Sequence, residues 1–274
     1  MKKQESSSLD SVKQFLAGAI IVFILIVAIA IYNFVLGAPE NFQGGDPVNG
    51  HPITEGAGKW LGTVYKGGFI VPILMSFFLM VFTFSIERFI TISMATGSGS
   101  VDVFLRKVKG ALAGNNISAA IQECDKQKGS VGNVVKAILE KYQEMLGNKE
   151  LDKEQKVAAI QKESEEAISL ELPMLEKNLT IIATLASVAT LTGLLGTVIG
   201  MIKAFSALAT AGAPDAAALS NGISEALINT ALGIGTSALA IIAYNYFTSK
   251  IDTLTYSIDE AGFSIIQSFN TATK

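Results

Sequence analysis

The hydrophobic and polar positions of this chain fall into long apolar runs separated by segments with helical spacing. Residues 15–36 (FLAGAIIVFILIVAIAIYNFVL) hold no charge; at about 1.5 Å per residue such a run crosses a hydrocarbon core of about 30 Å. A second run, residues 67–86, ends at Glu87-Arg88, and two more occupy 179–209 and 217–249. Four membrane-spanning helices are therefore expected. For the first run a cleaved signal peptide is the alternative, since Lys2 and Lys3 precede it; the run exceeds a typical signal core and lacks a clean small-x-small cleavage site.

Between the second and third runs the pattern changes to amphipathic helices. Val101 to Ala113 follows a Gly/Ser linker, Asn116 to Gln127 ends before Gly129, and Val131 to Leu146 ends before Gly147-Asn148. A fourth begins near Leu151 and keeps helical spacing through Val157, Ile160, Ile168, Leu172 and Leu175. Pro173 marks an expected kink, and the pattern on both sides of it predicts one long rod with the third spanning helix. The fold class is all-α, a polytopic membrane protein with a helical cytoplasmic region and long helices continuing from membrane into cytoplasm.

Positive charge sets the expected orientation. Lys2, Lys3 and Lys13 precede the first span, Lys59 and Lys66 lie in the 37–66 loop, and thirteen Lys/Arg fall from Arg88 to Lys177 inclusive. The turn at 210–217 has none, and Lys250 and Lys274 follow the last span. The expected division is a cytoplasmic N-terminus at 1–14, a span at 15–36 and a periplasmic loop at 37–66. A span at 67–90, cytoplasmic helices at 91–178 and a span at 179–209 follow. A periplasmic turn at 210–217, a span at 218–249 and a cytoplasmic tail at 250–274 complete it.

Composition agrees with a lipid-facing chain: half the residues are hydrophobic and 16% are charged, with net charge −3. No dense basic run suggests nucleic acid as a partner. A single cysteine, Cys124, and a single histidine, His51, leave no disulfide or His/Cys metal site within one chain, and no metal or cofactor is expected. No Gly-x-Ser-x-Gly elbow, phosphate loop or HExxH pair occurs, so no enzymatic chemistry is read.

The chemistry that remains lies in the last two spans. Only Lys203, Asp215 and Glu225 are charged between Asn178 and Ser249, and Asp215 sits in the Ala-Gly-Ala-Pro-Asp turn. A charge near the bilayer centre costs about 2.5–3.5 kcal/mol on insertion scales, so Glu225 needs a polar or aqueous environment. At about 100° per residue, Thr236, Asn229, Gly222, Ala240 and Gly233 fall within about 80° of Glu225, and Ala226, Ser237 and Thr230 extend that polar face. The third span has a matching stripe of Thr190, Gly193, Gly196, Thr197, Gly200 and Ala204, the spacing of a close-packed helix seam. With the turn centred near Gly212, Thr197, Glu225 and Thr230 sit at comparable depth. They form, with Asn229, a candidate ion path. Lys203 is shallower: its stem can carry the ammonium to the outer interface, and pairing with Glu225 or with another subunit is the alternative.

These residues resemble the ExbB/TolQ/MotA proton-channel family. Residues 179–205, centred on the Gly193 to Val198 motif (GLLGTV), are similar to one family helix. Residues 222–233 (GISEALINTALG), with the Tyr244-Asn245-Tyr246-Phe247 ending, are similar to the next, and the Glu87-Arg88-Phe89 exit is also family-like. The resemblance covers residues 67–250. It implies a homo-oligomeric ring, a pentamer in this family, around single helices of an ExbD/TolR-like partner, delivering work from the proton-motive force to a TonB- or TolA-like protein. It also implies an inner-membrane location and an ion path lined by Thr197, Glu225 and Thr230, with the main proton-carrying aspartate on the partner. Two departures stand out: Ala189-Thr190 replaces the family's Ala-Pro, and the first helix with its loop has no counterpart in three-helix members. The closer alternatives are a TolQ-like envelope role or a gliding or flagellar stator; a passive membrane scaffold is the reading of a different class.

Overall fold

The computed structural model describes residues 18–48, 50–210 and 216–272, and the described chain is helical, with one isolated antiparallel bridge between Phe42 and Pro52. Helix α1 is Gly18–Leu36, with a π-helical last turn, Tyr32–Leu36. It is followed by α2 (Gly56–Tyr65), α3 (Val71–Thr96), α4 (Val101–Ala113), α5 (Ile117–Gln127) and α6 (Gly129–Gly147). Then come α7 (Lys153–Glu176), α8 (Leu179–Thr210) and α9 (Ala216–Ala272). Among the described residues, four stretches are long and apolar enough to span a membrane, beginning at Gly18, Gly68, Lys153 and Ala216, and the protein is an all-α polytopic membrane protein. The expected N-terminal segment 1–14, the first residues of the first span, most of the 210–217 turn and the last two residues of the tail lie outside the described residues.

The chain divides into two compact units. The first holds the described residues to Phe84 and Ile181–Ala243. Its helices pack through narrow stripes: Ile24, Ala28 and Leu36 on α1, Val71, Leu74 and Val81 on α3, Ile182, Leu185 and Ala189 on α8, and Ala226, Asn229 and Ala240 on α9. The opposite face of α1 leaves Val22, Phe23 and Ile26 bare, as suits contact with lipid tails.

The loop expected over 37–66 contains a helix, α2. Its Gly56, Gly58 and Gly62 lower helix propensity and conceal it in the sequence. Tertiary contacts supply what propensity lacks. The Asn41 amide donates to the carbonyls of Val35 (2.7 Å) and Leu36 (3.1 Å), two of the carbonyls that the end of α1 leaves without helical donors. Tyr32 stacks on Tyr65 with centroids 4.6 Å apart, and Phe42 packs edge-on to Tyr65 at 5.5 Å.

The second unit holds Ser85–Thr180 and the residues from Tyr244 onward. Here α4 to α7 pack as consecutive pairs over a core of Phe104, Val108, Val131, Ile138, Leu139 and Ile160. Asn116 caps α5 through the Ala119 N–H, and Asp152 with Gln155 forms a capping box on α7. The segment read as a tail after Ser249 is instead the continuation of α9. Ile251, Leu254, Ile258, Ala261 and Ile265 recur at alternating three- and four-residue steps and are buried, and Phe269 meets Tyr142 edge-on at 5.0 Å.

The expected rod through Pro173 is broken elsewhere. Pro173 lies inside α7, and the interruption comes at Lys177, with extended ψ, and Asn178, with φ 66°. Asn tolerates that left-handed conformation better than most residues, and here its amide is held by Glu87 at 3.1 Å. Arg88, 1% exposed, donates to the carbonyls of Met174 (3.1 Å) and Leu175 (3.0 Å), so a fixed cation closes the negative end of α7. The chain therefore breaks where Arg88 and Glu87 can satisfy the freed groups.

Candidate functional site

The polar face of α9 meets the small-residue stripe of α8 inside the first unit. A methyl added at Gly200 would stand 2.7 Å from the Gly222 carbonyl oxygen, and one at Gly233 would stand 2.7 Å from that of Ala189. Both distances forbid a side chain, so the two backbones are in direct contact. Gly193 and Gly196 continue the seam, the first against Gly233 and the second against the Asn229 side chain. At the far end of the stripe the contact passes through Ala189, which is fully buried, while Thr190 is half-buried. The sequence stripe was set one residue off there; the burial of Ala189 shows which face turns inward.

Five polar residues make the contacts along this seam. The Glu225 carboxylate, 8% exposed, accepts a hydrogen bond from the Lys203 ammonium at 2.6 Å. Of the two readings open for Lys203, the geometry shows the pair; its stem is half-exposed, so the ammonium reaches inward from a partly open position. Asn229 is fully buried and donates to the Gly67 carbonyl at 2.9 Å. Its Oδ1 is buried without a hydrogen-bond partner among the described residues, which leaves an acceptor facing the seam. Beside Asn229, the hydroxyls of Thr197 and Thr230 hydrogen-bond to each other, and Thr230 also reaches the Ala226 carbonyl at 3.1 Å. Thr236 and Ser237 are buried on the same face. Thus the two threonines form one contact and the Lys203–Glu225 pair another, with Asn229 between them along α9.

Sequence reasoning missed Gly67, Gly68 and Phe69. Gly68 has φ +77°, and a methyl there would stand 2.5 Å from Glu225 Oε1. The Lys203 ammonium lies 5.7 Å from the Phe69 ring centroid, within cation–π range. The Gly-Gly pair ahead of an apolar run was the available signal, though by itself it marks only a turn.

Beyond Glu225 toward the start of α9, a cavity of about 430 Å3 is lined by His51, Lys59, Lys66, Ser220, Asn221 and Ser224, among others. On α9 its lining runs from Ala217 through Ser220 and Asn221 to Ser224, the residue before Glu225. Burial holds the Lys66 ammonium below the usual lysine range, against the opposing pull of Asp46, and the ammonium donates to the Val48 carbonyl at 2.8 Å. Such a vestibule can hold water beside an ionisable group that is otherwise enclosed by apolar helix.

Comparison with known proteins adds an independent line. Residues 127–260 match the MotA/TolQ/ExbB proton channel family. Over 88 residues the chain is 42% identical to the Tol-Pal system protein TolQ of Pseudomonas aeruginosa, an alignment taking in 32% of this chain and 38% of that protein. It is 40% identical over 89 residues to the biopolymer transport protein ExbB of Helicobacter pylori, covering 32% of this chain and 59% of the relative. The ExbB of Pseudomonas putida is 25% identical over 163 residues, 59% of this chain and 50% of the relative. The matched stretches thus span between about two fifths and three fifths of the relatives' lengths.

Proposed function

From the premise that residues 127–260 place the chain in the MotA/TolQ/ExbB proton channel family, we propose that it is the proton-path subunit of an energy-transducing complex of the bacterial inner membrane. Several copies, a pentamer by family resemblance, surround the single helices of an ExbD/TolR-like partner. The ring passes work from the proton-motive force to a TonB- or TolA-like protein and so energises transport across the outer membrane. Both termini and residues 91–178 are cytoplasmic, and α2 with its flanking turns is periplasmic.

The observation that supports this most is the Glu225 carboxylate, buried on a glycine-lined helix seam against the Lys203 ammonium, with an Asn229 oxygen next to it that has no partner among the described residues. Packing needs no carboxylate there. In the proposed path a proton arriving through the vestibule exchanges at Glu225 while Lys203 balances its charge, and the Asn229 oxygen and the Thr197–Thr230 hydroxyls hold water along the seam. Each hydroxyl can both donate and accept, as a proton relay requires. A unit charge moved through 100 mV yields about 2.3 kcal/mol.

Glu225→Gln is expected to insert and assemble normally but to abolish energy-dependent uptake across the outer membrane; normal uptake by fully assembled mutant complexes contradicts the proposal. A passive scaffold would tolerate Gln at this position. The similarity to TolQ favours a second reading, a TolQ-like envelope role served by the same path. The test between the two is which function is lost when the gene is deleted, uptake or envelope integrity. The orientation predicts that a cysteine at Val48, but not one at Lys149, reacts with a membrane-impermeant thiol reagent in cells with a permeabilised outer membrane. Labelling at Lys149 alone reverses it.

A further inference from the structure

Three consecutive residues, Gly67, Gly68 and Phe69, touch all three charged or amide side chains of the seam. The Gly67 carbonyl accepts from Asn229 at 2.9 Å. The Gly68 backbone lies against the Glu225 carboxyl, so close that a methyl on it would meet Oε1 at 2.5 Å. The Phe69 ring faces the Lys203 ammonium at 5.7 Å. No other described segment outside α8 and α9 makes contacts of all three kinds.

This segment is held from behind. Tyr65, two residues before Gly67, accepts a hydrogen bond on its carbonyl from the Tyr32 hydroxyl at 3.1 Å, and the two rings stack 4.6 Å apart. Gly37, just past the end of α1, gives the Tyr65 ring its place: a methyl there would stand 2.6 Å from Cε2. Gly67 N–H closes the turn on the Val64 carbonyl at 3.0 Å, and Lys66 N–H closes on that of Gly62 at 3.1 Å. Glu225 is thus met by the Lys203 ammonium from α8 and by the uncharged backbone of Gly68.

We propose that residues 67–69 are a positioning strap for the Lys203–Glu225 pair, and that α1, through Tyr32 and Gly37 against Tyr65, is the element that fixes the strap. The first helix then has a task beyond anchoring the chain in lipid: it sets the geometry of the ion pair from outside the α8–α9 seam. This rests on the proton-path reading for its functional consequence, but the geometry it asserts can be measured without any flux.

The test uses the complex in native membrane vesicles and the purified protein in detergent. Phe69→Leu removes the π face at a side chain 57% exposed, so the fold is retained. Tyr32→Phe removes the hydroxyl and keeps the stack. Proton flux is expected to fall about 3- to 10-fold in Phe69→Leu and about 2- to 5-fold in Tyr32→Phe, and Phe69→Trp is expected to restore it. The infrared carboxyl band of Glu225, identified by its loss in Glu225→Gln, is expected to shift in both variants and return in Phe69→Trp. A merely structural role for Phe69 would leave that band in place. An unchanged band and unchanged flux in Phe69→Leu and Tyr32→Phe overturn the strap. Normal flux in Glu225→Gln together with a shifted band in Phe69→Leu removes the path reading and leaves the strap standing.

Discussion

The two units each hold a buried charge beside an opposite one, and the pairs are built in opposite senses. At Glu87–Arg88 the cation is enclosed, its side chain 2% exposed, and the carboxylate is 42% exposed. At Lys203–Glu225 the carboxylate is enclosed at 11% and the ammonium is 50% exposed. Arg88 shares its donors among two helix-end carbonyls and a carboxylate that is itself held by Asn178 and Thr91. A guanidinium keeps its charge at every accessible pH, so this network has no alternative state to adopt. Glu225 accepts from a flexible lysine, beside an amide oxygen with no partner among the described residues. A carboxylate can take up a proton, and a lysine on a long stem can follow the change. The first arrangement fastens a break in the chain. The second is suited to change state.

Substitution at Arg88 is the largest break in this comparison. Arg88→Leu leaves the Met174 and Leu175 carbonyls at the end of α7 without donors and is expected to cost about 3 kcal/mol. Thermal unfolding in detergent should show a clear loss of stability, whereas Glu225→Gln, which keeps shape and a hydrogen-bond acceptor, should move the midpoint little. Equal destabilisation by the two substitutions would remove the distinction between a fastening pair and a functional one.

The two threonines sharpen the functional side. Thr197→Val or Thr230→Val alone is expected to lower proton flux about 3-fold, because the remaining hydroxyl still holds water, and the double variant more than about 10-fold. Native mass spectrometry should find the ring intact in all three. Normal flux in the double variant would assign the hydroxyls to helix packing alone.

Cys124 offers the smallest effect and a control for burial without function. Its thiol donates to the Ala120 carbonyl at 3.3 Å, and burial pushes its pKa up from 9.0 to about 12. The thiolate is the reactive form, so at pH 8 the folded protein should hold about 1,000-fold less of it than a thiol of ordinary pKa. Alkylation should be slow when folded, rise with pH toward about 12, and become fast on unfolding. Rapid labelling of the folded protein at pH 8 would contradict the burial.

Features that repeat along a helix were legible in the sequence, and features made by backbone contact were not. The length of the apolar runs pointed to the four spanning stretches, and helical spacing to the polar face around Glu225 and the glycine stripe of α8. Lys203 was left between two readings, since its depth depended on where the 210–217 turn was centred. The sequence pattern ran as one rod with a kink at Pro173, the visible signal, whereas the chain breaks at Lys177-Asn178, where the freed groups meet Arg88 and Glu87, remote in sequence. Helix α2 was hidden by its glycines, and the Gly67–Phe69 strap by contacts that two glycine backbones make without side chains. The first helix, assigned no role from sequence, acquires one through Tyr32 and Tyr65.

The most direct measurement of the central claim is proton flux into liposomes containing the assembled complex, driven by an imposed potential and followed with an entrapped pH indicator. With Glu225→Gln assembled to the same extent as the unaltered protein, flux should fall to the level of empty liposomes. Flux equal to that of the unaltered complex would contradict a proton path through Glu225.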